Sequence, residues 1–124
     1  MRPAFMSAMW LCCVCCVGLC ASRINWRDEV LPKFRLLTNP YAGQPVAAQA
    51  GGKLFSRYCA QCHGRDGNGL RRAPSLRSRE LKGASAGELF WLLRNGNLRD
   101  GMPSWSHLPD EQRWQIVTWL QTGN

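Results

Sequence analysis

Apolar residues recur at helical spacing in three stretches of the chain. Near the C-terminus, Trp114, Val117 and Leu120, flanked by Ile116 and Trp119, form a broad stripe and predict a final helix through QRWQIVTWLQT. Pro109 stands at a first-turn position with Asp110 and Glu111 behind it, both favoured at a helix start. Upstream, ELFWLLRN predicts a short helix that Ser85 and Glu88 open as a capping box and Gly96 stops. From about Val46 to Tyr58, helix formers with Leu54, Phe55 and Tyr58 predict a third. Gly51 and Gly52 each cost that helix roughly 1 kcal/mol against alanine. A glycine kept at such a cost suggests a neighbour packed very close. Residues 64–83 and 97–108 have no clean period, and no stretch reads as a strand. The pattern predicts an all-α fold of three to five short helices with two long loops.

The first residues, MRPAFMSAMWLCCVCCVGLC, carry Arg2 and then an apolar run of 17 residues from Phe5 to Ala21. Residues 1–21 therefore read as a signal peptide, or as an uncleaved membrane anchor, for which about 20 apolar residues are usual. Lipid attachment at Cys20 is a third possibility, disfavoured by Leu19. Residues 22–46 contain Pro32, Pro40 and Pro45 without a sustained period and read as an extended arm or linker. Trp26, Phe34, Leu36 and Leu37 in that arm could pack on the domain or stand it off a membrane. Residues 47–124 are left as one domain of ordinary small size.

The formal charge is +8, falling by one to +7 without Arg2, and the positive residues are scattered. No basic block and no basic-aromatic interleaving points to nucleic acid, so a positive face suited to acidic protein or anionic lipid is expected. Of seven cysteines only Cys59 and Cys62 lie beyond residue 20, which excludes a disulfide framework. Cys12, Cys13, Cys15 and Cys16 read as small apolar residues of the leading segment.

The chemistry concentrates in YCAQCHG, residues 58–64. Structural zinc would need Cys59, Cys62, His63 and the distant His107, but adjacent helical residues such as Cys62 and His63 point about 100° apart. A redox dithiol belongs at a helix start after a strand, whereas these cysteines end a helical pattern. Thiols one turn apart can reach the two vinyl groups on one side of a porphyrin, with His63 directed at the iron, and C-x-x-C-H is the sequence mark of such attachment. An iron that carries electrons without binding oxygen needs a second axial ligand, and methionine is a usual one. Met102 is the only methionine beyond residue 9, held in the loop DGMPSW away from any helical stripe; His107 is the alternative.

Over most of residues 47–124 the chain resembles the class I c-type cytochromes. The resemblance rests on Gly51, Phe55, Cys59, Cys62 and His63 in the register G-x-x-x-F-x-x-x-C-x-x-C-H, on Pro74 eleven residues past His63, on Gly101-Met102-Pro103, and on the final IVTWL. It implies a small cytochrome c-type fold around one haem c per chain, attached through Cys59 and Cys62 and ligated by His63 and Met102. It further implies that the Pro74 carbonyl orients the His63 imidazole and that Gly51 or Gly52 receives Trp119. Trp91 and Trp105, with Leu76 and Leu92, are the candidates for packing on the haem.

The resemblance also implies a one-electron carrier rather than an enzyme, exported to the periplasm or the outer face of the cytoplasmic membrane. Its expected partners are redox proteins, a dehydrogenase, oxidase or reductase with an acidic docking surface, and no nucleic acid. Membrane contact would come only through the N-terminal segment. Arg65, Arg71, Arg72 and Lys82 would form a positive rim around the haem edge. The alternative is a haem-based binder or sensor of small ligands with a displaceable Met102. A peroxidase-like enzyme would have only His107 as a distal base.

Overall fold

The computed structural model describes residues 25–71 and 73–122. Six α-helices follow in order: α1 (Pro32–Arg35), α2 (Pro45–Tyr58), α3 (Ala60–His63), α4 (Arg79–Lys82), α5 (Ala86–Asn95) and α6 (Asp110–Gln121). Trp26–Glu29 and Leu98–Asp100 are 3-10 turns. The three long helices are those the apolar period predicts; α1, α3 and α4 are single turns. Among the described residues no strand forms, and Asn97 and Met102 make one isolated antiparallel bridge.

Pro45 starts α2 because its fixed φ suits the first turn, where its missing N–H is not needed. The two glycines of α2 sit where α6 crosses it. A Cβ on Gly51 would overlap the Gln115 carbonyl, and one on Gly52 would lie 2.9 Å from the Trp119 indole. Gly52 thus faces the ring and Gly51 the backbone of α6. One turn on, Phe55 stacks on Trp119 with ring centroids 4.2 Å apart. The helix propensity given up at the glycines is recovered as close contact between the helices.

Ser85 and Glu88 form the predicted capping box: the Glu88 N–H donates to Ser85 Oγ at 3.2 Å, and the Ser85 N–H to Glu88 Oε2 at 2.8 Å. α5 then buries Leu89, Phe90, Trp91, Leu92 and Leu93. Phe90 stacks on Trp114 of α6 with centroids 4.1 Å apart. Phe55, Ile116 and Val117 are the largest fully buried apolar side chains, each contributing about 1.5–3 kcal/mol. Pro109 stands one residue ahead of α6, as its N-cap.

The expected extended arm is folded over residues 25–44. Val30 and Phe34 are buried in the core cluster. Arg27 pairs with Glu88 at 2.7 Å, and the buried Asn39 donates from Nδ2 to Thr118 Oγ1 at 2.9 Å. Only two apolar residues of the stretch are buried, too few to make a period, and its polar anchors find partners more than sixty positions away. Residues 1–21, read as signal or anchor, lie outside the described residues, and no described helix is long and apolar enough to cross a membrane.

Burial of Glu88 works to raise its pKa, but the bonds from Arg27 and the Ser85 N–H outweigh it and hold the carboxyl below its ordinary 4.5. A depressed carboxyl pKa contributes stability that is present above the unfolded value and lost as pH falls through the folded one. Glu88→Gln should therefore flatten the decline of stability below pH 4.5, and cost about 1–3 kcal/mol at neutral pH; denaturant titrations over pH read both effects. Gly51→Ala should cost about 1–3 kcal/mol by overpacking against Gln115. An unchanged denaturation midpoint in that variant would mean the helices can separate freely there.

Candidate functional site

Cys59 ends α2, donating its N–H to the Phe55 carbonyl at 2.8 Å, and the chain turns at once into α3. The N–H groups of Cys62 and His63 both donate to the Cys59 carbonyl, at 3.1 and 2.9 Å. The five residues from Cys59 to His63 therefore wrap a single turn that carries both thiols and the imidazole. Cys59 and His63 are half-buried, while Cys62 is exposed. Burial pushes the Cys59 thiol up to about 11, and the neighbouring Cys62 adds to the rise. A thiol held protonated in this way is the opposite of the acidic thiolate that a redox dithiol needs.

His63 Nδ1 lies 3.3 Å from the Pro74 carbonyl. A carbonyl can only accept, so a hydrogen bond there places a proton on Nδ1, the tautomer of a neutral ring that leaves the Nε2 lone pair for a metal. The loop that returns Pro74 to the histidine is tied down by the Gly69 N–H to the His63 carbonyl at 2.8 Å, and by the Leu70 N–H to the Cys62 carbonyl at 3.2 Å. The Leu76 N–H closes it on the Gly67 carbonyl at 2.8 Å.

Leu76 then joins Leu81, Leu89 and Leu120 around a cavity of about 290 Å³ that Arg77 and Lys82 also line. Apolar walls with two cations fit one edge of an apolar macrocycle that bears carboxylates. A larger open groove, about 870 Å³ between the start of α2 and Trp119, holds none of the predicted ligands.

Met102 is half-buried and packs against the core cluster. Its N–H and carbonyl both bond to Asn97, each at 2.9 Å, closing a turn over residues 98–101. The segment from Met102 to Ser104 lies directly on Gly96, where a Cβ would come within 2.7 Å of the Met102 carbonyl and the Ser104 nitrogen. Gly96 also has a φ of +72°, so it both ends α5 and admits the loop. The last carbonyls of α5, which have no partner within the helix, hold that loop in turn. Ser104 Oγ donates to the Arg94 carbonyl at 2.6 Å and the Trp105 N–H to the Leu93 carbonyl at 2.8 Å.

The Trp105 ring meets Tyr58, the residue before Cys59, at 5.6 Å between centroids. This contact brings the Met102 loop to the end of α2 that carries the cysteines. Trp91 lies in the core cluster with Leu92, and Trp105 is half-buried beside it. His107, the alternative ligand, is exposed with its ring 5.4 Å from Trp105. Arg65, Arg71 and Lys82 of the expected rim are exposed, and Arg72 lies outside the described residues.

Sequence reasoning missed Tyr58 and Asn97 as supports of the site, and missed the buried Arg113 entirely. Gly96 was legible as a helix stop but not as the floor of the loop. An aromatic ring in a helical pattern carries no mark of a partner more than forty residues away, as Tyr58 has in Trp105.

The model for the family of cytochrome c oxidase, cbb3-type, subunit III matches residues 46–120 of this chain. Among solved structures the chain is similar to cytochrome CL from the marine methylotrophic bacterium Methylophaga aminisulfidivorans, with 26% identity and a TM-score of 0.58. That likeness covers 67% of this chain and 57% of the other, so this chain spans little more than half of that protein.

Proposed function

The chain belongs to the family of the cbb3-type cytochrome c oxidase subunit III, a family of c-type cytochromes that carry haem and transfer electrons; on that premise we propose that it is an exported monohaem carrier ligated by His63 and Met102. Bound haem supplies a one-electron couple between Fe(III) and Fe(II). The protein's part is to hold the ligands still through that change. The observation that carries this reading is the bond between His63 Nδ1 and the Pro74 carbonyl, which holds the imidazole on the turn that bears both cysteines and leaves Nε2 uncommitted to it.

Cys59 and Cys62 would form the two thioethers, and Met102, in the loop from Asn97 to Leu108, would supply the sulfur ligand. Leu76, Leu81, Leu89 and Leu120 would exclude water from one edge of the group, which favours the less charged reduced iron. Arg77 and Lys82, which line that cavity, would be the cations offered to its carboxylates.

Electrons would pass where Cys62 and the half-exposed Leu70 reach the surface. Leu70, 51% exposed, would be the apolar contact for docking, and the exposed Arg65, Arg71 and Lys82 would give a positive surround for an acidic redox partner. Residues 1–21 would carry the chain out of the cytoplasm and could hold it at the outer face of the membrane.

Two measurements test this. The ferric protein should show the weak near-infrared band of sulfur-to-iron charge transfer, and Met102→Ala should abolish it while the reduced protein keeps its haem. A wild-type protein without that band, whose reduced Soret band shifts under carbon monoxide, would instead be a ligand binder. Electron transfer with an acidic redox protein should slow as added salt shortens the Debye length to about 8 Å. A rate indifferent to salt would remove the positive surround from the docking surface.

A further inference from the structure

One buried cation is unused by the reading above. Arg113, in the first turn of α6, is 4% exposed. Its Nη1 donates to three backbone carbonyls of the segment that follows Met102: Trp105 at 3.1 Å, Ser106 at 3.0 Å and Leu108 at 2.6 Å. Nη2 donates to Asp110 Oδ1. The guanidinium lies 5.2 Å from the centroid of the Phe90 ring, on α5. Its Nε is buried without a hydrogen-bond partner among the described residues.

A cation is removed from water at a high cost unless its surroundings replace the lost hydration. Here the replacement comes almost wholly from one loop. Three carbonyls turned toward one nitrogen would repel one another without it, and Nη1 has two hydrogens for the three, so at least one bond is shared. The downstream half of the loop therefore has this conformation only while the guanidinium is present. The upstream half is held independently, by Asn97, by the Gly96 floor and by the Leu93 and Arg94 carbonyls. Met102 stands three residues before the first carbonyl that Arg113 binds, with the Leu93 and Arg94 anchors meeting the chain in between, at Trp105 and Ser104, so that Arg113 fixes the loop where it continues beyond them.

We infer that Arg113 is a positioning residue for the axial ligand: its bonds to the Trp105, Ser106 and Leu108 carbonyls hold the loop so that Met102 cannot swing away from the iron. The inference rests on the reading of Met102 as that ligand. Arg113 acts on the iron through the loop rather than by touching the haem. The forked guanidinium is needed as well as the charge, since one planar group reaches the carbonyls and Asp110 together while an ammonium offers a single point. Losing the grip lowers the barrier to release of the thioether without disturbing His63, whose support from Pro74 comes from a different loop.

The test uses the full holoprotein in its ferric state, with imidazole as the displacing ligand. Arg113→Met should weaken the sulfur-to-iron band and take up imidazole about ten- to a hundredfold faster, the factor that losing one or two charge-assisted hydrogen bonds converts to. Arg113→Lys keeps the buried charge and decides the matter if the methionine variant does not fold. It should retain the band yet still bind imidazole severalfold faster than wild type. Asp110→Ala removes a bond to the same guanidinium but none to the loop, and should exchange at the wild-type rate, which a general loosening of α6 would not allow. Wild-type exchange in both Arg113 variants, with the band intact, overturns the inference while leaving Met102 as the ligand. A wild-type protein that lacks the band overturns the Met102 reading and this inference with it.

Discussion

The crossing of α2 over α6 is the contact from which the rest of the structure takes its position. With no side chain at Gly51, the Gln115 carbonyl can reach the α2 backbone, and Phe55 and Trp119 stack one turn further on. That contact sets the end of α2, hence the turn from Cys59 to His63, and it sets the start of α6, where Arg113 gathers the loop carbonyls. A shift of either helix would move the histidine and the methionine relative to each other. In the proposed ligation by His63 and Met102, electron transfer with little rearrangement needs that distance held.

Between the two helices the site is built from loops, and the loops are held by polar groups that helices leave unsatisfied. The end of α5 lends its Leu93 and Arg94 carbonyls to Trp105 and Ser104. The His63 carbonyl takes the Gly69 N–H, and the Pro74 carbonyl faces the imidazole. Hydrogen bonds of this kind contribute only about 0.5–1.5 kcal/mol each, net of the water they replace. Their value here is direction: apolar packing of Met102 and Trp105 against the core would be satisfied by several loop conformations, and the bonds select one.

The N-terminal segment shows the same division of labour at a distance from the site. Val30 and Phe34 supply the burial, while Arg27 on Glu88 and Asn39 on Thr118 supply the register. Glu88 belongs to the capping box of α5 as well as to the ion pair. The start of that helix and the docking of residues 25–44 are therefore linked through one carboxylate. This leaves the stretch before α2 part of the folded body, although its prolines and lack of period suggest a tether.

Local signals determined the helices and most of the chemistry. Ser85 and Glu88 stand three apart and cap their own helix, the stripe from Trp114 to Leu120 has the period of a buried face, and C-x-x-C-H carries its geometry within a single turn. Those signals are readable because the residues that interact are neighbours along the chain. Met102 stood out as the only methionine beyond residue 9, but Pro74 was legible only through the family resemblance, since nothing local connects a loop proline to a histidine eleven residues earlier. Tertiary structure alone decided the folding of residues 25–44, the contact of Tyr58 with Trp105, the floor at Gly96 and the burial of Arg113. Each of these joins groups distant in sequence, and an arginine in an amphipathic helix looks the same whether it meets water or three carbonyls. Which of the two it meets depends on where the loop runs, and that is set by the packing of α5 on α6.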